Sequence, residues 1–150
     1  MCNASFGQKD IRKIVLIKNK VGKSFYFDSS NKKHGVNKIY VKYLGNIVTS
    51  DKKNLTVLSW ERVWGVNRHT TGIIYLFDQK NNYIGKYILG DGKDLPYKVQ
   101  SNNLVFMNTN KSKCDNKLVT RINFEKGIPP NIFLKCKGES GDIYSFSEED

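Results

Sequence analysis

An antiparallel all-β fold, a sandwich or barrel of many short strands with little helix, is what this sequence predicts, on three observations. Apolar residues recur with period two or in short runs far more often than with period 3.6. Those runs are rich in Ile, Val, Tyr and Phe, the β-branched and aromatic types that suit a pleated, half-buried surface. Each run is short and bounded by Gly, Asn, Asp or Ser, so the chain turns often. With 150 residues, 39% of them hydrophobic, the chain is long enough to close a core.

Taken in order, residues 11–18 read as a strand, with Ile14 and Leu16 on one face and Ile11, Val15 and Ile17 on the other. Residues 24–28 place Phe25 and Phe27 about Tyr26, and residues 38–44 follow. Residues 55–64 extend as a strand, or coil as a helix; in either case Trp60 and Trp64 share a face. Residues 73–77 are apolar at every position, which predicts a central strand buried on both faces within 72–78. Lys80, Asn81 and Asn82 then turn the chain back through Tyr83 into 83–89. Gly90, Asp91 and Gly92 mark another tight turn before short strands at 97–100 and 104–107. Residues 118–124 and 132–136 are expected to pair as a hairpin around Gly127, Pro129 and Pro130, and 143–146 is the eleventh strand.

The hairpin of residues 73–87 resembles one blade edge of secreted bacterial β-propellers, in which an apolar strand ends in an Asp turn before a second strand begins. A complete propeller needs at least four blades of about 40 residues. The chain cannot hold them, so this resemblance implies nothing about function. No linker, low-complexity tract or charge block divides the sequence, which predicts one β-rich domain over residues 9–150 with a short acidic end.

Residues 1–8 are read separately, as a frayed terminus or the tail of a bacterial signal peptide. Ser5 and Gly7 hold the small-x-small positions that a signal peptidase needs before a cut ahead of Gln8. Without Cys2 the cysteines number two, Cys114 and Cys136, an even count that suits an oxidising compartment. Their bridge would close a loop worth on the order of 3 kcal/mol in the chain-entropy model; two free thiols are the alternative. The spacing matches no zinc pattern, so no metal is expected. No apolar run reaches the roughly 18 residues of a membrane-spanning helix.

The formal charge is +11, from 25 Lys+Arg against 14 Asp+Glu. Only Arg12, Arg62, Arg68 and Arg121 are arginines, and arginine supplies the bidentate fork that reads phosphates and guanine edges. The excess is therefore read first as a lysine-rich solvated surface and second as a polyanion-binding face. Residues 138–150 carry five acids and no base, and either fold back on a basic face or stay solvated.

Catalytic signatures are thin. His34 lies in a polar turn, and His69 sits in no metal or nucleophile motif. Asp91 and Asp94 stand near glycines but fall short of a calcium loop. The most informative stretch is residues 58–65, because an extended strand puts Leu58, Trp60, Arg62 and Trp64 on one face with Arg62 between two indoles. That ladder either braces the core or, facing solvent, forms a platform; with Arg68 and His69 in the adjoining turn, these five make the expected binding surface: Trp60, Arg62, Trp64, Arg68 and His69. The expectation is a small periplasmic or secreted bacterial β-domain without enzymatic activity or cofactor. It would bind another protein or an envelope component, in an inhibitor, immunity-type or accessory role. The alternatives are polyanion binding, with nucleic acid not favoured, and a hydrolase whose site forms only in the fold, with His69 as base.

Overall fold

A computed structural model describes residues 7–109 and 111–150. These residues form one α-helix, α1 (Gln8–Lys18), a single 3-10 turn (Gly92–Asp94) and ten strands. The strands are β1 (Ser24–Asp28), β2 (Val36–Val48), β3 (Asn54–Gly65), β4 (His69–Phe77), β5 (Tyr83–Leu89), β6 (Lys98–Gln100), β7 (Asn103–Met107), β8 (Val119–Asn123), β9 (Asn131–Lys137) and β10 (Ser140–Ser147). Seven form an antiparallel sheet in the order β1-β2-β3-β4-β5-β10-β9, and β6-β7-β8 form a second sheet. The all-β sandwich expected from the sequence is the fold observed.

Two cores lie on opposite faces of the large sheet. One fills the space between the sheets: Ile47, Val57, Ile74, Leu76 and Tyr87 from the large sheet meet Leu104 and Phe106 from the small one. The other lies under α1, where Ile11, Val15 and Leu16 pack on Val41, Leu58, Trp60, Tyr75 and Phe77. This arrangement explains the unbroken apolar run of β4. As the middle strand it buries Ile74 and Leu76 toward the small sheet and Tyr75 and Phe77 toward α1. The β4–β5 hairpin falls where the sequence places it, with Asp78 Oδ1 accepting from the backbone N–H groups of Lys80 and Asn82 at 2.8 and 2.9 Å. A bulge in β2 between Tyr43 and Gly45, with Gly45 at φ 137°, lets consecutive residues serve both cores: Tyr43 faces α1 and Leu44 faces the small sheet.

Two expectations are corrected. Residues 11–18 are helical, not extended. Ile11/Val15 and Arg12/Leu16 are i, i+4 pairs and become the buried stripe, with Asp10 in the first turn, Lys18 in the last and left-handed Asn19 as the C-cap. Nor do the strands near 118–124 and 132–136 pair with each other: β8 pairs with β7, and β9 pairs with β10. Between them Phe124 is buried in the inter-sheet core, and Tyr87 and Phe146 donate to the carbonyls of Pro129 and Pro130. The proline segment is thus a crossing between the two sheets. The signal-peptide reading falls largely on residues 1–6, outside the described residues; Gly7 caps α1, which begins at Gln8.

Cys114 and Cys136 are bridged, 22 residues apart in sequence. The loop that carries Cys114 is also tied to β9 by hydrogen bonds from Asp115 N–H to the Cys136 carbonyl, 2.8 Å, and from Asn108 Nδ2 to the Lys135 carbonyl, 2.9 Å. The acidic end folds back: Asp150 takes both guanidinium nitrogens of Arg12 at 2.9 and 3.0 Å. No helix among the described residues is long and apolar enough to cross a membrane.

Candidate binding surfaces

The residues singled out around Trp60 divide between core and surface. Register pairing puts Trp60, Arg62 and Trp64 on one face of β3, opposite Val41, Ile39 and Asn37 of β2 and Ile73, Thr71 and His69 of β4. The face is shared, but α1 covers only one end of it. Trp60 lies under the helix with 0% exposure, edge-on to Tyr75 at 5.5 Å, and its indole N–H has no hydrogen-bond partner among the described residues. Its role is packing, so it cannot touch a partner in this fold. Arg62 is not stacked between two indoles either. Its guanidinium stands 5.8 Å from the Trp64 ring, and its Nε donates to Asn37 Oδ1 at 3.0 Å.

Trp64, beyond the reach of α1, is 39% exposed. It is nonetheless held: Nε1 donates to Thr71 Oγ1 at 3.2 Å, and the His69 ring lies 5.0 Å away at a 40° tilt. The β3–β4 turn that follows places Arg68 in the left-handed region at φ 54° and leaves Val66 exposed at the tip. Trp64, Arg62 and His69 therefore form a preorganised shelf at one end of the sheet. His69 rests against an indole, and among the described residues no carboxylate or hydroxyl is hydrogen-bonded to it. His34 lies in the exposed turn of residues 32–34, which leads through Gly35 to the backbone of Gly65 and Val66.

Asp91 and Asp94 are structural. Asp91 accepts from Lys93 N–H and from Thr70 Oγ1 at 3.0 and 3.1 Å, capping the turn that leads to β6. Asp94 pairs with Lys111 and accepts from the Tyr144 hydroxyl at 3.0 Å. Burial pushes the Glu61 carboxyl upward, and the neighbouring Asp91 adds to the effect. No group of three His, Cys, Asp or Glu side chains among the described residues is arranged to hold a metal ion.

A second surface was not visible in the sequence. The outer face of the small sheet, walled by residues 92–97 and by Lys42 of β2, encloses a cleft of about 570 Å³. Val105, Met107 and Val119 line its apolar part, and Lys42, Lys93, Lys98 and Arg121 are its charged side chains. None of these four cations is ion-paired among the described residues, whereas Lys9, Arg12, Lys53 and Lys111 each have a carboxylate. Tyr97 is 57% exposed at the wall, with the Lys42 ammonium 5.3 Å from its ring and 3.2 Å from its carbonyl. The cations come from β2, the 92–97 turn, β6 and β8, so no local motif announces them. The one available signal was Tyr97 and Lys98 directly after Pro96, an exposed aromatic beside a charge at a strand start. Neither surface finds a counterpart to lean on, because no protein-family model, curated protein or solved structure matches this chain.

Proposed function

We propose that this chain is a non-enzymatic binding domain of an oxidising compartment, periplasmic or secreted, and that the Trp64 shelf contacts its macromolecular partner. The observation that carries the reading is Trp64 itself, a large aromatic left two-fifths exposed yet fixed by Thr71 and His69. Trp and Arg dominate interface hot spots, and side chains already ordered lose less freedom on binding. Arg62 stands beside the indole, and exposed Val66 and Arg68 lie in the adjoining β3–β4 turn, which suits a partner with acidic and apolar groups together. The Cys114–Cys136 bridge supports the compartment, since such bonds persist where thiols are not kept reduced.

A photoreactive phenylalanine analogue at position 64, in protein exported to the periplasm, tests the contact. A discrete crosslinked adduct is expected. Excess wild-type protein should compete it away and Trp64→Ala should not. No adduct, or the same adducts from position 126 on the opposite loop region, would remove the reading. Two alkylatable thiols in protein recovered from the periplasm would remove the compartment.

A second reading, binding of a polyanion, is favoured by one observation, the four unpaired cations around the small-sheet cleft. Its mark is affinity that falls steeply with salt.

A further inference from the structure

We infer that the small-sheet cleft is a site for an acidic polysaccharide, a chain of sugar rings bearing carboxylate or sulfate groups. The inference rests on the polyanion reading and names its ligand. Four like charges gathered about one cleft repel each other, and among the described residues no carboxylate is paired with any of them. An anionic ligand supplies the missing charge.

The register of the small sheet sets the spacing. Lys98, Val105 and Arg121 are partners in one row across β6, β7 and β8, so all three project from the same face. The backbones of β6 and β8 are two strand spacings apart, roughly 10 Å. Two cationic arms thus stand on either side of the buried Val105, at the separation of one ring and its charged substituents. Met107 and Val119 form the next row and supply the exposed apolar surface beside them. Tyr97 stands at the wall with most of its ring surface open, a platform for the apolar face of a sugar.

Single-stranded nucleic acid is the competing polyanion, and the cleft fits it less well. Sequence-tolerant nucleic-acid grooves stack successive bases on several aromatic side chains, whereas this cleft has Tyr97 alone. Three of its four cations are lysines, point charges that suit carboxylate or sulfate as readily as phosphate, and one is the forked Arg121. A disulfide-bonded chain also meets envelope or matrix glycans where such bonds last.

The test uses the full chain and four probes labelled at one end: an oligogalacturonate hexamer, a sulfated heparin hexasaccharide, an oligo-dT of matched charge and a neutral dextran oligomer. Anisotropy titrations from 50 to 200 mM salt read the affinity. Tighter binding of an acidic oligosaccharide than of oligo-dT is expected, with no binding of dextran. Lys98→Gln/Arg121→Gln should lower the salt slope by about 1.5, at roughly 0.7–0.9 per neutralised charge. Tyr97→Ala should weaken binding about tenfold while leaving the slope unchanged. The charge-matched pair Lys126→Gln/Lys137→Gln, outside the cleft, should match wild type, and circular dichroism confirms folding of every variant. Tighter binding of oligo-dT overturns the glycan assignment and leaves the polyanion reading standing. Binding that the control pair weakens as much as the cleft pair, or no salt-dependent binding of any probe, overturns both.

Discussion

Arg12 shows what a single charge requires when the fold buries it. It is 5% exposed, with its guanidinium 4.7 Å from the ring of Tyr75, 5.1 Å from Tyr83 and 5.8 Å from Phe77. Taking a charge out of water is costly unless it is paired, and here the bidentate contact with Asp150 and three aromatic faces offset that cost. The hydrogen bonds from Arg12 hold the Asp150 carboxyl below the usual carboxylate range. Across the same cage, burial and the nearby Asp150 charge push the Tyr83 phenol up to about 12. Asp150→Asn is therefore expected to destabilise the protein by about 1–2 kcal/mol at neutral pH, toward the low end for charged hydrogen bonds because its side chain is partly exposed to solvent. The sign follows from the lowered native pKa: the contribution is full above the unfolded value of about 3.9 and is lost as pH falls through the native one. Denaturant titrations of both proteins should converge at low pH. A difference that persists at pH 2 would rule out the ion pair as its source. The sequence left the acidic end two fates, and only the packing of Arg12 among aromatics from β4 and β5 chose between them.

At the scale of elements, the errors of sequence reading have one cause: local pattern does not contain the partner. Residues 11–18 are short, apolar and β-branched, and eight residues of that kind fit either period. What makes α1 a helix is a sheet face that accepts the Ile11/Val15 and Arg12/Leu16 stripe. Similarly, β8 and β9 are neighbours in sequence, yet Phe124 and the two prolines carry the chain from one sheet to the other before either strand can pair with its neighbour. The junction that seals this crossing is β5 against β10, where Phe146 lies opposite Tyr87 with ring centroids 5.3 Å apart. Gly85 makes room for it, since a Cβ there would collide with the Phe146 ring and come within 2.7 Å of the Ser147 carbonyl oxygen. Gly85→Ala should lower stability by about 1–3 kcal/mol through overpacking. Thermal unfolding checks this, and Gly127→Ala, whose Cβ meets nothing but whose φ is 114°, separates steric crowding from backbone strain. Equal losses in the two variants would contradict the packing account.

For the whole molecule, the Cys114–Cys136 bridge fastens the loop after β7 to β9 and so links the small sheet to the large one. Cys114→Ser/Cys136→Ser should lower stability by about 3 kcal/mol, as expected for a loop of this length. Calorimetry should show the same fall for the reduced wild type. A mutant as stable as the oxidised protein would mean that the hydrogen bonds of Asn108 and Asp115 hold the loop unaided. Charge also acquires meaning only at this scale. Three lysines and Arg121, which read singly as solvated residues, are brought together from four segments around one cleft, and the ion pairs of Arg12, Lys53 and Lys111 involve none of them.

The sequence by itself determined the strand-rich class, the central hairpin of β4 and β5, and the shared face of Trp60, Arg62 and Trp64, because side-chain alternation is a property of neighbouring residues. Tertiary structure decided which of those tryptophans is covered, that α1 coils, how the sheets are joined and where the positive charge is uncompensated. Each of these depends on burial against residues distant in the chain, and burial is defined only once both partners are in place.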